Sequence, residues 1–180
     1  MAAPGSRTTV GRRLLCLSGS IAFPLHFSHP LAPHIAAEMA GVEMHLEEMV
    51  DTFDVLATWA DAVVVDGVGG FRVPLGADFD TADLASTLNL PVVIVVGIKM
   101  GCMNHALLTA EVLRARGLHL AGWVANMIDH DLPEAQRYVA ALRLRMGAPC
   151  LAQIPYIGSP QIAAVAASFS IDTVLAALSS

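Results

Sequence analysis

The amino-acid sequence predicts an α/β fold in which a parallel sheet is flanked by helices. Short β-branched strand patterns alternate with helical patterns from residue 42 onward, and this alternation is typical of βαβ units. Of the 180 residues, 55% are hydrophobic and 14% are charged, so a disordered chain is excluded. The longest apolar run, residues 90–98, is too short to cross a bilayer and is typical of a buried parallel strand.

The N-terminal part of the chain differs from the rest in composition. Residues 1–37 contain three arginines and no acidic residue. We expect residues 1–26 to form a poorly ordered extension, with a targeting signal as the alternative, and residues 27–180 to form a single domain. Three prolines favour an extended loop over residues 23–33.

The first regular elements follow this loop. Apolar residues at helical spacing predict a helix over residues 42–60, with its acidic face in solvent. A β-branched strand at residues 61–66 leads into a glycine-rich loop at residues 67–70. A short helix is predicted at residues 81–88, and a fully apolar strand at residues 91–97.

The C-terminal half continues the alternation. Gly117 is typical of a helix end, and Asp131 with Glu134 is predicted to cap a later helix that has Pro133 in its first turn. The elements predicted here are helices at 104–116 and 171–178, the helix opened by residues 131–134, and strands at 120–126 and 151–154. Ligands of parallel sheets bind at the carboxyl ends of the strands, so those ends form the candidate site.

The first predicted strand ends in a carboxylate and a glycine loop. Asp66 can hold Mg²⁺ directly or through water. The glycines of residues 67–70 allow the backbone to approach an anion closely and to donate its N–H groups. A tight turn that needs positive φ is the alternative explanation of the loop.

The second predicted strand leads into a helix N-terminus at Gly101–Asn104. Free N–H groups and the positive end of a helix dipole make such a place suited to a carboxylate or a phosphate. Asn104 is also a plausible N-cap residue, and both interpretations are compatible. Cys102 is either a reactive thiol or a small buried residue.

The third and fourth strands end in residues suited to a nucleobase. Asn126 can donate and accept one hydrogen bond each at a purine edge, although asparagine is also common in turns. Pro155, Tyr156 and Ile157 can line a base pocket with backbone and an aromatic ring, and an ordinary half-buried tyrosine is the alternative.

Charge and composition exclude several classes of site. A net charge of −6 argues against a nucleic-acid partner, and no membrane partner is expected. The three cysteines are far apart and the seven histidines lack zinc-binding spacing, which predicts a reducing, cytoplasmic location and no zinc site. The only lysine, Lys99, is followed by Met100, so this sequence contains no P-loop.

Taken together, the sequences at these strand ends resemble those of the ATP-dependent dethiobiotin synthetases of biotin biosynthesis. The resemblance extends from about residue 27 to about residue 157. It is carried by FSHPLAPHIAA at 27–37, WADAVVVDGVGGFRVPL at 59–75, LPVVIVVGIKMGCMNHALLTAEVLRARGLHLAGWVAN at 90–126, and residues 148–156. The second and third stretches are the most specific, and the run GCMNHALLTA argues against a different amidase or ATPase of P-loop descent.

The resemblance implies a P-loop NTPase-like fold, a homodimer, and a ligase that closes the ureido ring of dethiobiotin. The implied substrates are 7,8-diaminononanoate, CO₂ and ATP, with Mg²⁺. In that chemistry one amine takes up CO₂ as a carbamate, ATP phosphorylates the carbamate, and the second amine expels phosphate. The protein's part is to position the reactants and to stabilise charge during phosphoryl transfer.

The resemblance also implies roles for individual residues. The implied ATP-binding residues are Asp66, Gly67, Val68, Gly69, Asn126, Met127, Pro155, Tyr156 and Ile157. The implied substrate-binding residues are Gly70, Gly101, Cys102, Met103, Asn104 and Tyr138. Asp66 is the implied Mg²⁺ ligand. The helix start at residues 101–104 and Tyr138 are expected to reach the substrate of the neighbouring subunit.

This sequence departs from the family pattern before residue 27. The family's P-loop, its carbamate-handling lysine and serine, and a further Mg²⁺-binding aspartate all precede the matching part, so no catalytic residue is assigned here. Asp66 is one methylene shorter than the family's glutamate, and Val68 replaces alanine. We expect the first strand and the P-loop helix to be missing from a truncated form with weak or no turnover alone. A non-catalytic partner subunit or remnant that binds the substrate carboxylate is the alternative.

Overall fold

The structure is a computed structural model that describes residues 14–16, 27, 31–67, 69–159 and 161–178. Its elements are β1 (Leu14–Cys16), α1 (Pro33–Ala40), α2 (Leu46–Ala57), β2 (Ala62–Val64), α3 (Thr81–Leu88), β3 (Val92–Ile98), α4 (Cys102–Ala115), β4 (Leu120–Met127), α5 (Ala135–Arg143), β5 (Cys150–Ile154), α6 (Ile162–Ala166) and α7 (Ile171–Leu178). The chain divides after Leu88 into two compact units. Across the described residues, the helices are too short or too polar to span a membrane.

The first unit contains a parallel pair of strands. Leu14 of β1 lies opposite Ala62 of β2, and Cys16 lies opposite Val64. Residues 14–16 were predicted to belong to a poorly ordered extension, and no strand was predicted before residue 61; in the structure these residues form β1, paired with β2. The pairing uses backbone hydrogen bonds between two short extended segments. It can therefore form although residues 14–16 carry no recognised family motif. The predicted boundary at residue 27 stays a prediction, and the other residues of the proposed N-terminal extension lie outside the described part.

The second unit contains a parallel sheet in the order β3-β4-β5. Gly97 of β3 lies opposite Asn126 of β4, and Asn126 lies opposite Ile154 of β5. The carboxyl ends of the three strands therefore meet at one edge of the sheet. The predicted α/β class, with a parallel sheet and flanking helices, is confirmed.

Helices pack on both faces of β4, whereas Val93 and Val95 of β3 are exposed. The fully buried side chain of Trp123 in β4 belongs to a cluster that includes Ala106 and Ala110 of α4 and Leu142 of α5. The next residue, Val124, packs on the other face in a cluster with Ala177 of α7. Alternate residues of one strand thus supply both halves of the core, because side chains alternate across a strand.

Two predicted helix starts are corrected by the structure. The helix predicted from residue 42 begins at Leu46, because Gly41 in the left-handed conformation (φ 65°) ends the unpredicted helix α1 just before it. The predicted cap by Asp131 and Glu134 is wrong. Glu134 has a φ of 58° and makes no side-chain cap, and the Asp131 carboxylate instead contacts His130 Nδ1 at 3.1 Å.

The α3 helix has the position predicted for it, residues 81–88, and begins with a reciprocal cap. Asp80 Oδ1 accepts from the Ala82 N–H at 2.8 Å, and Asp83 Oδ2 accepts from the Asp80 N–H at 2.8 Å. Asp80 also forms an ion pair with Arg72 and is only 8% exposed. This carboxylate therefore joins the start of α3 to the chain that follows the glycine loop.

We expect Asp80→Ala to lower the free energy of unfolding by about 2 kcal/mol, because it removes a cap and leaves buried N–H groups unpaired. Urea unfolding followed by circular dichroism measures the change. Asp78→Ala is the matched control, since Asp78 is exposed, and we expect it to change stability by less than about 0.5 kcal/mol. Equal effects of the two substitutions would contradict the assignment of Asp80 as the cap.

Candidate functional site

The glycine loop begins just after β2 in the first unit. The carboxylate of Asp66 is exposed and has no hydrogen-bond partner among the described residues. Gly69 and Gly70 have φ values of 75° and 149°, which L side chains rarely adopt. The tight-turn interpretation is therefore compatible with an anion-binding loop. Val68, which the resemblance assigns to ATP, lies outside the described residues.

The chain after the glycine loop is fixed by the start of α3. The Thr81 hydroxyl donates to the Phe71 carbonyl at 2.7 Å, and the Val73 N–H donates to the same hydroxyl at 3.0 Å. Because this hydroxyl donates one hydrogen bond and accepts another, it holds the backbone of residues 71–73 against the start of α3. The loop of Gly67 to Gly70 is thus held at both of its ends, by β2 and by α3.

The N-terminus of α4 follows β3 in the second unit. Gly101, and not Asn104, is the N-cap, with a φ of 85° and no side-chain cap. The Cys102 N–H donates to the Lys99 carbonyl at 3.1 Å. The amides of Met103 and Asn104 belong to the first turn, where a helix has no internal acceptor, so they are available to a ligand. Asn104 was predicted as a possible cap, and that prediction is wrong because glycine already provides the turn.

Cys102 is part of the core and not an exposed thiol. Its side chain is 2% exposed and packs with Ala106 and Ile98. The structure therefore favours the second of the two predicted roles, a small buried residue. Cys102 therefore supports the helix start from the core, and the free amides of the first turn are those of Met103 and Asn104.

Tyr138 lies next to this helix start. Its hydroxyl donates to Met100 Sδ at 3.7 Å, and its ring packs against the main core of the second unit. Met100 directly precedes Gly101, so the tyrosine of α5 and the open first turn of α4 come together within one chain. The sequence separation between residues 100 and 138 gave no sign of this contact, which depends on how α5 packs beside β3.

A cavity of about 270 Å³ lies at the carboxyl ends of β4 and β5. Its lining residues are Met127, Asp129, His130, Leu132, Ala135, Gln136, Gln153, Pro155 and Tyr156. Three of the predicted ATP-binding residues, Met127, Pro155 and Tyr156, thus line one cavity. Asn126 and Ile157 are not among its lining residues.

Two contacts in this cavity were missed by the sequence analysis. The rings of His130 and Tyr156 meet edge to face, with centroids 5.3 Å apart. Gln153 Nε2 donates to Gln136 Oε1 at 2.9 Å. The position of His130 just after β4 was a usable signal, because side chains there face the ligand edge. The glutamine pair gave none, since its members are 17 residues apart.

The single carboxylate of Asp66 fits a magnesium ion whose other ligands are waters and substrate phosphates. Mg²⁺ in phosphoryl-transfer sites takes one or two carboxylates together with waters and substrate phosphates. An exposed, unpartnered Asp66 beside glycines meets that requirement. Within the described ranges, no three His, Cys, Asp or Glu side chains gather as a metal cluster of their own.

Comparison with known proteins places the chain in a family. A family model described as an AAA domain matches residues 2–175, consistent with a P-loop NTPase-like fold. The chain is 51% identical over 145 residues to a protein of Aromatoleum aromaticum, covering 81% of this chain and 64% of that relative. It is 50% identical over 147 residues to one of Ralstonia nicotianae, covering 82% and 64%.

A third relative, from Pseudomonas aeruginosa, is 45% identical over 159 residues, covering 88% of this chain and 70% of the relative. All three carry the name ATP-dependent dethiobiotin synthetase BioD. The chain spans 64% of the length of the first two relatives, less than two thirds. With this identity over most of its residues, the chain belongs to the ATP-dependent dethiobiotin synthetase family.

Proposed function

We propose that this chain provides the substrate-carboxylate site and the base site of a dethiobiotin synthetase-type ligase. That ligase closes the ureido ring on 7,8-diaminononanoate with CO₂ and ATP. The observation that carries the proposal is the contact of Tyr138 with Met100, which sets a phenol beside the open first turn of α4. Relatives named dethiobiotin synthetase support the same reaction.

The helix start is suited to the carboxylate tail of the substrate. The amides of Met103 and Asn104 can donate to a carboxylate, and the positive end of the α4 dipole stabilises its charge. Neither an acidic side chain nor a side-chain cap occupies the first turn of this 14-residue helix. The Tyr138 hydroxyl supplies a further donor whose present acceptor, a thioether sulfur, is weak.

Two groups of residues, each considered by itself, are suited to parts of a nucleotide. Gly67 and Gly69 offer backbone N–H groups to phosphate, and Met127, Pro155 and Tyr156 form part of a base cavity. Asp66 would hold Mg²⁺, which neutralises charge on the phosphates when it is bound. Asn126 and Ile157 remain proposed nucleotide contacts from the resemblance.

Turnover by this chain alone is proposed to be weak or absent. The sequence has one lysine, Lys99, which Met100 follows, so no lysine stands in a P-loop. Phosphoryl transfer depends on fixed positive charge around the transferred group, and loss of such donors slows it greatly. This observation favours the second candidate function, a non-catalytic partner subunit that binds the substrate carboxylate in a dimer. We also propose a homodimer and a cytoplasmic location.

The test uses the purified chain with 7,8-diaminononanoate, bicarbonate, Mg²⁺ and ATP. We expect calorimetry to show saturable binding of the diamine acid, and mass spectrometry to show at most traces of dethiobiotin. The carboxamide of the same diamine is the control, and we expect it to bind at least about 10-fold more weakly, because it lacks the charge that the helix start stabilises. Robust product would contradict the proposal of weak turnover. Equal binding of acid and amide would contradict the carboxylate site.

A further inference from the structure

One arginine follows the glycine loop, and the proposed function has not used it. Residues 14–98 contain no Lys or Arg other than Arg72, which only Phe71 separates from Gly70. Phosphates are bound by charge-assisted hydrogen bonds from arginine or lysine as well as by backbone N–H groups. Arg72 is therefore the positive charge that this part of the sequence offers to an anion at the loop.

The guanidinium of Arg72 is held through its Nε atom. Nε donates a hydrogen bond to Asp80 Oδ2 within an ion pair. Asp80 Oδ1 accepts from the N–H groups of Ala82 and Asp83 at 2.8 and 3.2 Å, so the start of α3 fixes the carboxylate itself. The carboxylate in turn limits the positions that the guanidinium can adopt, which lowers the entropy cost of a further contact.

The rest of the guanidinium is accessible to a ligand. The Arg72 side chain is 61% exposed, and its two Nη groups have no hydrogen-bond partner among the described residues. These two groups form a planar fork that matches two oxygens of one phosphate group. The contact with Asp80 thus leaves the bidentate end of the arginine open.

The ion pair lies beside the glycine loop, because Thr81 contacts the end of that loop. The Thr81 hydroxyl donates to the Phe71 carbonyl at 2.7 Å and lies 3.3 Å from the Gly70 carbonyl oxygen. Thr81 directly follows Asp80, the residue that holds Arg72. All of these residues belong to the first unit. The open guanidinium and the glycine backbone are therefore close to each other within one unit.

Resting on the proposed function, we propose that Arg72 binds the polyphosphate of ATP at the glycine loop through its two Nη groups, with Asp80 as its positioning residue. The contact adds positive charge to a loop that otherwise offers backbone N–H groups to the phosphates. The proposal concerns binding of the nucleotide. One arginine does not replace the several donors that phosphoryl transfer requires, so the proposed weak turnover is unchanged.

The test measures dissociation constants of the full chain for ATP and for inorganic tripolyphosphate, both with Mg²⁺, by calorimetry. We expect Arg72→Gln to weaken binding of both ligands by about 10-fold, because charge-assisted hydrogen bonds are lost. Arg72→Lys keeps the charge but not the fork, and we expect a loss of about 3-fold. Arg143→Gln is the matched control, an exposed arginine in the last turn of α5, and should change either constant by less than about 2-fold.

A further variant, Asp80→Asn, separates direct binding of phosphate from mere support of the loop. Asparagine is also a good helix cap, and this variant keeps Arg72, so we expect it to weaken binding of both ligands by less than about 3-fold. Circular dichroism checks that each variant is folded. If Asp80→Asn and Arg72→Gln caused equal losses, Arg72 would act only through its ion pair, and the inference would be overturned.

The remaining outcomes distinguish the inference from the proposed function. Equal affinities of Arg72→Gln and Arg143→Gln for ATP, or a wild-type chain that binds ATP but not tripolyphosphate, overturn the inference and leave the proposed ATP site standing. If Arg72→Gln does not fold, an unchanged affinity of Arg72→Lys overturns the inference in the same way. A wild-type chain that binds neither ligand overturns the proposed ATP site, and the inference with it.

Discussion

Replacing Trp123 with alanine is expected to lower the free energy of unfolding of the second unit by about 3–5 kcal/mol. Trp123 is completely buried in β4 and is the largest side chain of the main core. Truncation removes its apolar contacts with α4 and α5 and leaves a cavity that the two helices cannot fill without moving. Urea unfolding followed by circular dichroism measures the loss, since fluorescence also reports Trp59 of the first unit.

The control for this prediction is Trp123→Phe. The indole Nε1–H of Trp123 is buried and has no hydrogen-bond partner among the described residues. An unpaired buried donor costs about 1–3 kcal/mol, so phenylalanine removes an unfavourable group while it keeps an aromatic ring. We expect Trp123→Phe to cost less than about 1.5 kcal/mol. If both substitutions destabilised the chain equally, the volume of the ring would not be what stabilises this core.

The second half of the fold was predictable because its sequence signals agree with each other. Strands β3, β4 and β5 are apolar and short, and each lies within one or two residues of its predicted range. Gly117, predicted to end the helix before β4, has a φ of 71° directly after the α4 C-cap. Continuous apolar runs are typical of strands that are buried on both faces. The prediction of a fully buried strand is wrong for β3, in which Val95 is 63% exposed.

The first half of the fold was less predictable because the sequence patterns of the neighbouring helices α1 and α2 are short and run into each other. Pro33 at the start of α1 and Gly41 after its end are ordinary helix boundaries, but the helix between them has only eight residues, too few for a clear helical period. The apolar pattern of α2 continues back to residue 42 and therefore predicted too early a start for this helix. The spacing of Asp80 and Asp83 is compatible with a reciprocal cap, but the ion pair between Asp80 and the exposed Arg72 has no signal in the sequence.

The candidate site was also predictable only in part. Residues next to strand ends, such as Tyr156 and Gly101, could be named from the sequence, because a parallel sheet brings those ends together. Contacts between distant residues could not be named. The pairing of Gln136 with Gln153 and of Tyr138 with Met100 depends on how α5 packs on the sheet, and no periodicity records that packing.

A single added charge at the start of α4 is expected to weaken substrate binding strongly. We expect Asn104→Asp to weaken binding of 7,8-diaminononanoate by about 100-fold. Two carboxylates about 4 Å apart repel by about 4 kcal/mol at an effective dielectric constant of about 20, and exposure of Asn104 reduces this to about 2–3 kcal/mol. Calorimetric titration with the diamine acid measures the change in dissociation constant.

Stability separates this effect from simple damage to the helix. An aspartate in the first turn interacts favourably with the helix dipole, so Asn104→Asp should raise the free energy of unfolding by about 0.3–1 kcal/mol while it weakens binding. Thr109→Asp is the matched control, because Thr109 lies in the same helix, about 7.5 Å further along its axis. We expect that variant to weaken binding by less than about 3-fold. Equal losses in both variants would mean that net charge, and not the first turn of α4, governs affinity for the carboxylate.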